Sequence, residues 1–157
     1  MTNPAPGVRA EFSCEPDPGN PGWNRWRLSD PTRYLEAVLG PVLVRSEGED
    51  SARVRIVPQQ RHTNSANNIH GAIILGLIDV ALFAALHVVR GASTERAFTV
   101  DLSTQFISVG DASRPLDAVV EVLSETRRLA FLRGLVVQAD CVVGSFSGTV
   151  RKAAEPA

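Results

Sequence analysis

The chain has 157 residues, 44% of them hydrophobic, and 16 basic against 17 acidic side chains give a net charge of −1. That length supports one ordinary domain with a real core, and the scattered arginines and near-neutral balance exclude an electrostatic nucleic-acid binder. Two cysteines, Cys14 and Cys141, build neither a disulfide framework nor a four-ligand zinc site, which points to a reducing, cytoplasmic setting.

Residues 1–22 hold five of the ten prolines and no continuous apolar stretch, so they read as a flexible tail, with the domain at 23–152 and a second tail at 153–157. "SDPTRYLEAVLG" predicts a short helix: Asp30 caps, Pro31 suits the first turn, Tyr34, Leu35, Val38 and Leu39 share a stripe, and Gly40 ends it. "PVLVRSEGEDSARVRIVP" predicts a hairpin, whose second arm alternates Ala52, Val54 and Ile56 with Arg53 and Arg55. A long apolar helix follows, roughly Ile69 to Val89. "AFTVDLSTQFI", "PLDAVVEVLSE", "LAFLRGLVVQA" and "CVVGSFSGTV" then read as four β segments separated by turn residues.

The long helix carries Asp79 near its middle, and an ionised carboxylate in an apolar environment is expensive unless paired or neutralised. Ala72 to Val89 approaches the length of a membrane span. A membrane location is rejected, because Asp79 alone would cost roughly 2.5–3.5 kcal/mol at the centre of an inserted helix. His87 adds polarity, and no basic flank orients a span. A helix apolar all round is more simply one buried on most sides. The chain therefore predicts an α+β architecture, a curved antiparallel sheet wrapped around one long helix.

Asn64, His70, Gly71 and Asp79 stand in the spacing N-x5-H-G-x7-D. This pattern resembles the hotdog-fold thioesterases, and more narrowly the phenylacetate-degradation (PaaI-type) acyl-CoA thioesterases. That family has an Asn, a Gly, then His-Gly-Gly and an Asp within the central helix. "TVDLSTQFI", with Thr99 before Val-Asp-Leu, resembles the family's strand after the helix, and "RRLAFLRGLVVQ" its later strand pair. The likeness covers roughly Leu35 to Arg151. Two positions depart from it. The second Gly after His is Ala72, and the Gly three before His is Asn67, a residue that tolerates left-handed backbone.

The resemblance implies a soluble hotdog homodimer, or a tetramer built from it, that hydrolyses acyl-CoA without metal or resident cofactor. The spacing adds its own argument. Asp79 lies about 12 Å beyond Gly71 along the helix and about 80° around it, so one helix does not easily bring both to one carbonyl. Two antiparallel helices on a two-fold axis do. In the implied site, free N–H groups at the helix start near Gly71 receive the carbonyl oxygen. Asp79 acts as general base on water or as nucleophile, with Asn64 and Thr99 as orienting partners. Each residue has a plainer reading: Asp79 as a buried structural carboxylate bonded to Thr99, His70 as a cap or loop-packing residue, and Asn64 as a turn former.

Arg127 and Arg128 are candidate contacts for the phosphates of coenzyme A, with Arg133 and Arg90 as further options, against the simpler reading of a solvated turn. Trp23 and Trp26 with Tyr34 are expected to close one side of the core. His62, His70 and His87 are spaced by eight and seventeen residues, which makes no i, i+4 pair for a metal. The competing function is a hotdog module that binds acyl-CoA, as a sensor or scaffold, without turnover. A hotdog hydratase would need His and Asp close together on one loop, which Asp79 inside the helix does not provide.

Overall fold

The computed structural model describes residues 9–152. Strands β1 (Phe12–Pro16) and β2 (Asn24–Leu28) come first, followed by a π-helical turn at Leu35–Leu39. Strands β3 (Val42–Ser46) and β4 (Ser51–Ile56), a 3-10 turn at Gln60–His62 and helix α1 (Gly71–Arg90) come next. Strands β5 (Phe98–Phe106), β6 (Leu116–Glu125), β7 (Leu129–Gln138) and β8 (Cys141–Arg151) complete the chain. All eight strands form one antiparallel sheet in the order β1-β2-β3-β4-β6-β7-β8-β5.

Alternation in β4 puts Ala52, Val54 and Ile56 in the core and Arg53 and Arg55 on the outer face, the period-two consequence of a sheet covered on one side. The covering element is α1, whose Leu77, Ile78, Ala81, Leu82, Ala84 and Ala85 are fully buried among β3, β4 and β6. α1 is long and apolar enough to cross a membrane, but half of its most apolar 18-residue window is buried inside the sheet. It stops where Gly91 adopts φ +64 and its N–H bonds the His87 carbonyl at 2.8 Å, a left-handed C-terminal cap that glycine forms without strain.

Two expectations are corrected. The flexible tail assigned to residues 1–22 is not one from Phe12 on. There β1 pairs with β2 through Phe12↔Leu28 and Cys14↔Trp26, and the Phe12 and Trp26 rings meet at 4.1 Å with their planes tilted by 54°. The prolines shape the hairpin's turn rather than a loose segment: Asp17 Oδ1 accepts from the Gly19 N–H at 2.9 Å, and the Asp17 N–H reaches the Trp23 carbonyl at 2.9 Å. Residues 1–8 and 153–157 of the two expected tails lie outside the described residues.

The short helix is likewise confined to Leu35–Leu39. Asp30 holds the preceding turn, accepting from the Thr32 N–H at 2.9 Å and the Thr32 hydroxyl at 2.6 Å, and the Gly40 N–H bonds the Leu35 carbonyl at 3.0 Å. Leu35 and Leu39 are buried as expected, whereas Tyr34 is 49% exposed and leans on α1 instead of joining the stripe.

The path after α1 was not foreseeable from the order of elements. β5 pairs with β8 at the sheet edge, and β6 takes the place beside β4. Among the described residues one side of β5 therefore has no neighbouring strand, and Phe98, Val100 and Phe106 are each more than half exposed.

Candidate active site

The loop ahead of α1 is fixed from below by a fully buried histidine. His62 Nε2 lies 2.7 Å from the Val38 carbonyl, and its Nδ1 accepts the Gln59 N–H at 3.0 Å. Its carbonyl accepts the His70 N–H at 2.8 Å, so both ends of the 62–70 loop are tied. Inside it, Asn64 Oδ1 accepts from the Ala66 and Asn68 N–H groups at 2.9 and 3.2 Å. Asn67 adopts φ +61, the left-handed conformation expected of an asparagine standing where the related pattern has glycine.

His70 is the N-cap of α1: its Nδ1 accepts the Ala72 N–H at 3.0 Å, and its carbonyl takes the Ile73 N–H at 2.9 Å. An accepting Nδ1 assigns the ring proton to the outward Nε2. With those first-turn donors satisfied, the Gly71 N–H has no partner among the described residues. A Cβ at Gly71 would meet the Phe106 ring at 3.4 Å, so the missing side chain leaves open a narrow approach to that N–H.

Asp79 is half-buried on α1. Its Oδ1 accepts the Thr99 hydroxyl at 2.6 Å, the short distance of a hydrogen bond to a carboxylate. Thr99 reaches it through a β-bulge. Thr99 pairs with Val150 and Asp101 with Thr149, leaving Val100 as an extra residue. Counting inward from Leu102 in steps of two would aim Val100 at α1; the extra residue restores Thr99 to that face.

Tyr34 also approaches this region. Its phenol hydroxyl occupies the space above Gly76, where a Cβ would collide with it, and Gly76 and Asp79 share one helix face at i, i+3. Burial, and then the negative charge of Asp79, push the Tyr34 phenol above its ordinary value, so it is a neutral donor across physiological pH. Sequence reasoning missed this contact, although a glycine inside an otherwise unbroken helix was the available signal.

Thus the structure unites Asp79 with Thr99, and Asn64, His70 and Gly71 at the helix start. Within one chain the two groups are separated by about 12 Å of helix. Arg127 and Arg128 are exposed in the β6–β7 turn, at the opposite end of α1, where Arg90 bonds Glu125 at 2.9 Å and the Lys152 N–H bonds the Arg128 carbonyl at 2.8 Å. Gly71 and Arg90 are separated by about 28 Å of helix. Arg90 and Arg133 are engaged by Asp50 with Glu125, and by Glu121, respectively.

The three histidines are dispersed. His87 packs edge-on against Phe12 and Trp26, and no group of three or more His, Cys, Asp or Glu suited to a metal occurs among the described residues. Trp26 closes the core as expected, while Trp23 is buried under the Arg45 and Arg55 guanidinium groups at 4.4 and 4.7 Å.

A family model described as Thioesterase superfamily matches residues 66–145, the stretch from the loop before α1 into β8. No curated protein matches in sequence. Among solved structures, the PaaI protein of the E. coli phenylacetic acid degradation operon is 20% identical with a TM-score of 0.65, covering 78% of this chain and 86% of that one. Thioesterase superfamily member 2 from Mus musculus is 18% identical with a TM-score of 0.64, covering 77% and 90%. A mutant of phenylacetic acid degradation protein PaaI from Thermus thermophilus is 23% identical with a TM-score of 0.63, covering 76% and 98%. At these identities the structural likeness establishes the fold. The family match spans just over half the chain, and with the sheet wrapped around α1 it gives the assignment: the chain has the hotdog fold and belongs to the thioesterase superfamily.

Proposed function

We propose that the protein is an acyl-CoA thioesterase of the PaaI type, working as a homodimer or a tetramer of such dimers. The observation that carries this reading is Asp79, a half-buried carboxylate in an apolar helix whose one hydrogen bond among the described residues comes from Thr99. Its second carboxylate oxygen is accessible, not buried without a partner, so water or a substrate carbonyl can reach it.

In the dimer, α1 lies antiparallel to its copy, so that Gly71 faces Asp79 of the partner subunit. The edge position of β5 supports such pairing, since a long uncovered edge flanked by the exposed Phe98, Val100 and Phe106 is an association surface. The thioester oxygen takes the Gly71 N–H at the positive end of α1. Asp79 removes a proton from water, the hydroxide adds to the carbonyl carbon, and collapse breaks the C–S bond while the proton passes to the departing thiolate. Alternatively Asp79 attacks the carbonyl carbon directly, the C–S bond breaks to release the CoA thiolate, and water hydrolyses the resulting mixed anhydride to the free acid and the Asp79 carboxylate. His70 holds the first turn, Asn64 shapes the loop and orients water, and Thr99 fixes the carboxylate. The partner subunit's Arg127 and Arg128 are the proposed phosphate contacts, because antiparallel helices carry that turn past the Gly71 end. No step calls on a metal or resident cofactor, and a cytoplasmic setting suits the two free thiols.

The test measures thiol release from a panel of acyl-CoAs by the wild type, by Asp79→Asn and Gly71→Val homodimers, and by hybrids formed under subunit exchange. Each parent variant should be inactive, while hybrids, holding one intact site, should recover activity. Hybrids that stay inactive would place both residues in one chain's site. Binding of acyl-CoA without thiol release by the wild type would select the non-catalytic module instead.

A further inference from the structure

Tyr34 is the one tyrosine of the chain, and its place is set from both sides. Asp30 closes the turn before it, with Thr32 and Arg33 bonded to the carboxylate, and Leu35 after it is buried in the core. The ring is thereby held against α1 at Gly76, where a Cβ would lie 2.9 Å from its Cζ and collide with its hydroxyl. Gly76 has ordinary helical backbone, and a glycine inside a helix costs stability relative to alanine. What the missing side chain provides is room for the phenol oxygen, which takes the place of a side-chain atom at position 76. Positions 76 and 79 are neighbours on one helix face, about 5–6 Å apart at Cβ. The hydroxyl has no hydrogen bond among the described residues, and Asp79 uses one oxygen for Thr99. The gap between the hydroxyl and the other carboxylate oxygen suits one bridging water rather than a direct bond.

We infer that Tyr34 is a positioning residue for the hydrolytic water, holding it against Asp79 through the phenol hydroxyl. The inference rests on the thioesterase reading. The water gives one hydrogen to Asp79 and the other to the phenol oxygen, so that its lone pair is left facing the carbonyl carbon, and Asp79 takes the proton as the new C–O bond forms. The phenol itself transfers no proton. Burial and the negative charge of Asp79 hold it above its ordinary value, which leaves it a weaker acid than a thiol and unfit to protonate the departing thiolate. Two groups on one water fix its direction as well as its place, the part of catalysis that comes from orientation. They also favour the general-base branch, since a carboxylate that attacks directly has no use for an ordered water in its first step. In the proposed dimer the point midway between Gly71 and Asp79 is Leu75, so the partner helix crosses beside Gly76 and encloses a phenol that is half-exposed in the single chain. The water is then shut off from bulk solvent.

The experiment measures kcat and KM for thiol release from the acyl-CoA panel by the wild type, Tyr34→Phe, Gly76→Ala and the double variant, with sedimentation and thermal melts on the same samples. Tyr34→Phe removes one oxygen and should lower kcat about tenfold, the loss expected for one hydrogen bond, with KM within about twofold and the dimer intact. Gly76→Ala keeps the phenol but displaces it, and should lower kcat by as much. The double variant should fall no further than either, because both changes remove the same contact. A kcat for Tyr34→Phe within about twofold of wild type would overturn the role, as would a loss explained wholly by KM or by dissociation of the dimer. Because Tyr34 is the only tyrosine, 3-fluorotyrosine labels it alone, and its fluorine signal follows the phenol's titration without any substrate. Asp79→Asn should move that titration downward, towards the ordinary value. An unmoved titration would take the hydroxyl out of the carboxylate's neighbourhood and overturn the role on geometry alone. Wild-type turnover unaffected by Tyr34→Phe removes the role and leaves the thioesterase reading standing, whereas a wild type that releases no thiol removes that reading and the role with it.

Discussion

At the scale of single residues, Asp79 and Thr99 form the pair whose chemistry can be separated by substitution. Asn is nearly isosteric with Asp, so Asp79→Asn tests charge: turnover should fall on the order of 100-fold or more, as when general-base assistance is removed, while the melting temperature holds or rises because a half-buried charge is gone. Steady-state thiol release and thermal melts on the same sample check both. A loss of stability with normal turnover per folded site would instead assign Asp79 a structural role. Thr99→Val keeps the shape but deletes the 2.6 Å donor; a hydrogen bond to a charged group is worth about 1.5–3 kcal/mol, and turnover should fall about tenfold without loss of the dimer. These two residues were singled out in sequence by the family resemblance, Asp79 through the N-x5-H-G-x7-D spacing and Thr99 through the strand after the helix. The aim of Thr99 was not legible, since it depends on Val100 standing outside the ladder, and a strand pattern read in steps of two has no place for the extra residue.

At the scale of elements, the outer face of β3, β4 and β6 is knit by charge. Asp117, 6% exposed, bonds Arg53 at 3.0 Å and Arg55 at 2.7 and 2.8 Å, and Glu47 bonds Arg53 at 2.6 Å. The Arg53 hydrogen bond, aided by Arg45, holds the Glu47 carboxyl below its ordinary value against the opposing effect of burial. A lowered folded value means that this contribution is fully present above about pH 4.3 and is lost as the pH falls through the folded value. Urea unfolding of Glu47→Gln should therefore show a lower stability than wild type at pH 7 and a smaller decline between pH 5 and 3. A parallel decline in both proteins would remove Glu47 from the acid response. Within the sheet, a Cβ at Gly134 would meet the Val119 carbonyl and the Phe146 ring. Backbone cannot yield as a flexible side chain does, so Gly134→Ala should destabilise by about 1–3 kcal/mol, read as a lower melting temperature. The alternation of β4, the apolar run of α1 and the turns between β6, β7 and β8 were all legible in sequence, because each is a local period. The pairing of β1 with β2 was hidden by prolines that serve as turn residues, and the placement of β5 beside β8 was hidden because it is a choice among distant edges.

At the scale of the molecule, the active arrangement proposed here requires two chains, so sedimentation in dilute buffer should give a dimer or a larger species, and dilution to monomer should abolish turnover. An active monomer would end the cross-subunit account. The two ends of the sheet also differ in kind. β1 is short, five residues ending at Pro16, whereas β5 is nine residues long and carries exposed large apolar side chains. Proline cannot donate to a ladder, so one end resists extension and the other invites it. When two copies join through β5, the same edge is consumed on both, and only the blunt β1 edges are left facing outward. A contact that uses one surface twice closes on itself, whereas a head-to-tail contact would leave a sticky edge at each step and grow into a filament. In the proposed dimer, the asymmetry of the two edges would limit growth along the sheet to a single joining event, and a tetramer would form through faces rather than by adding strands.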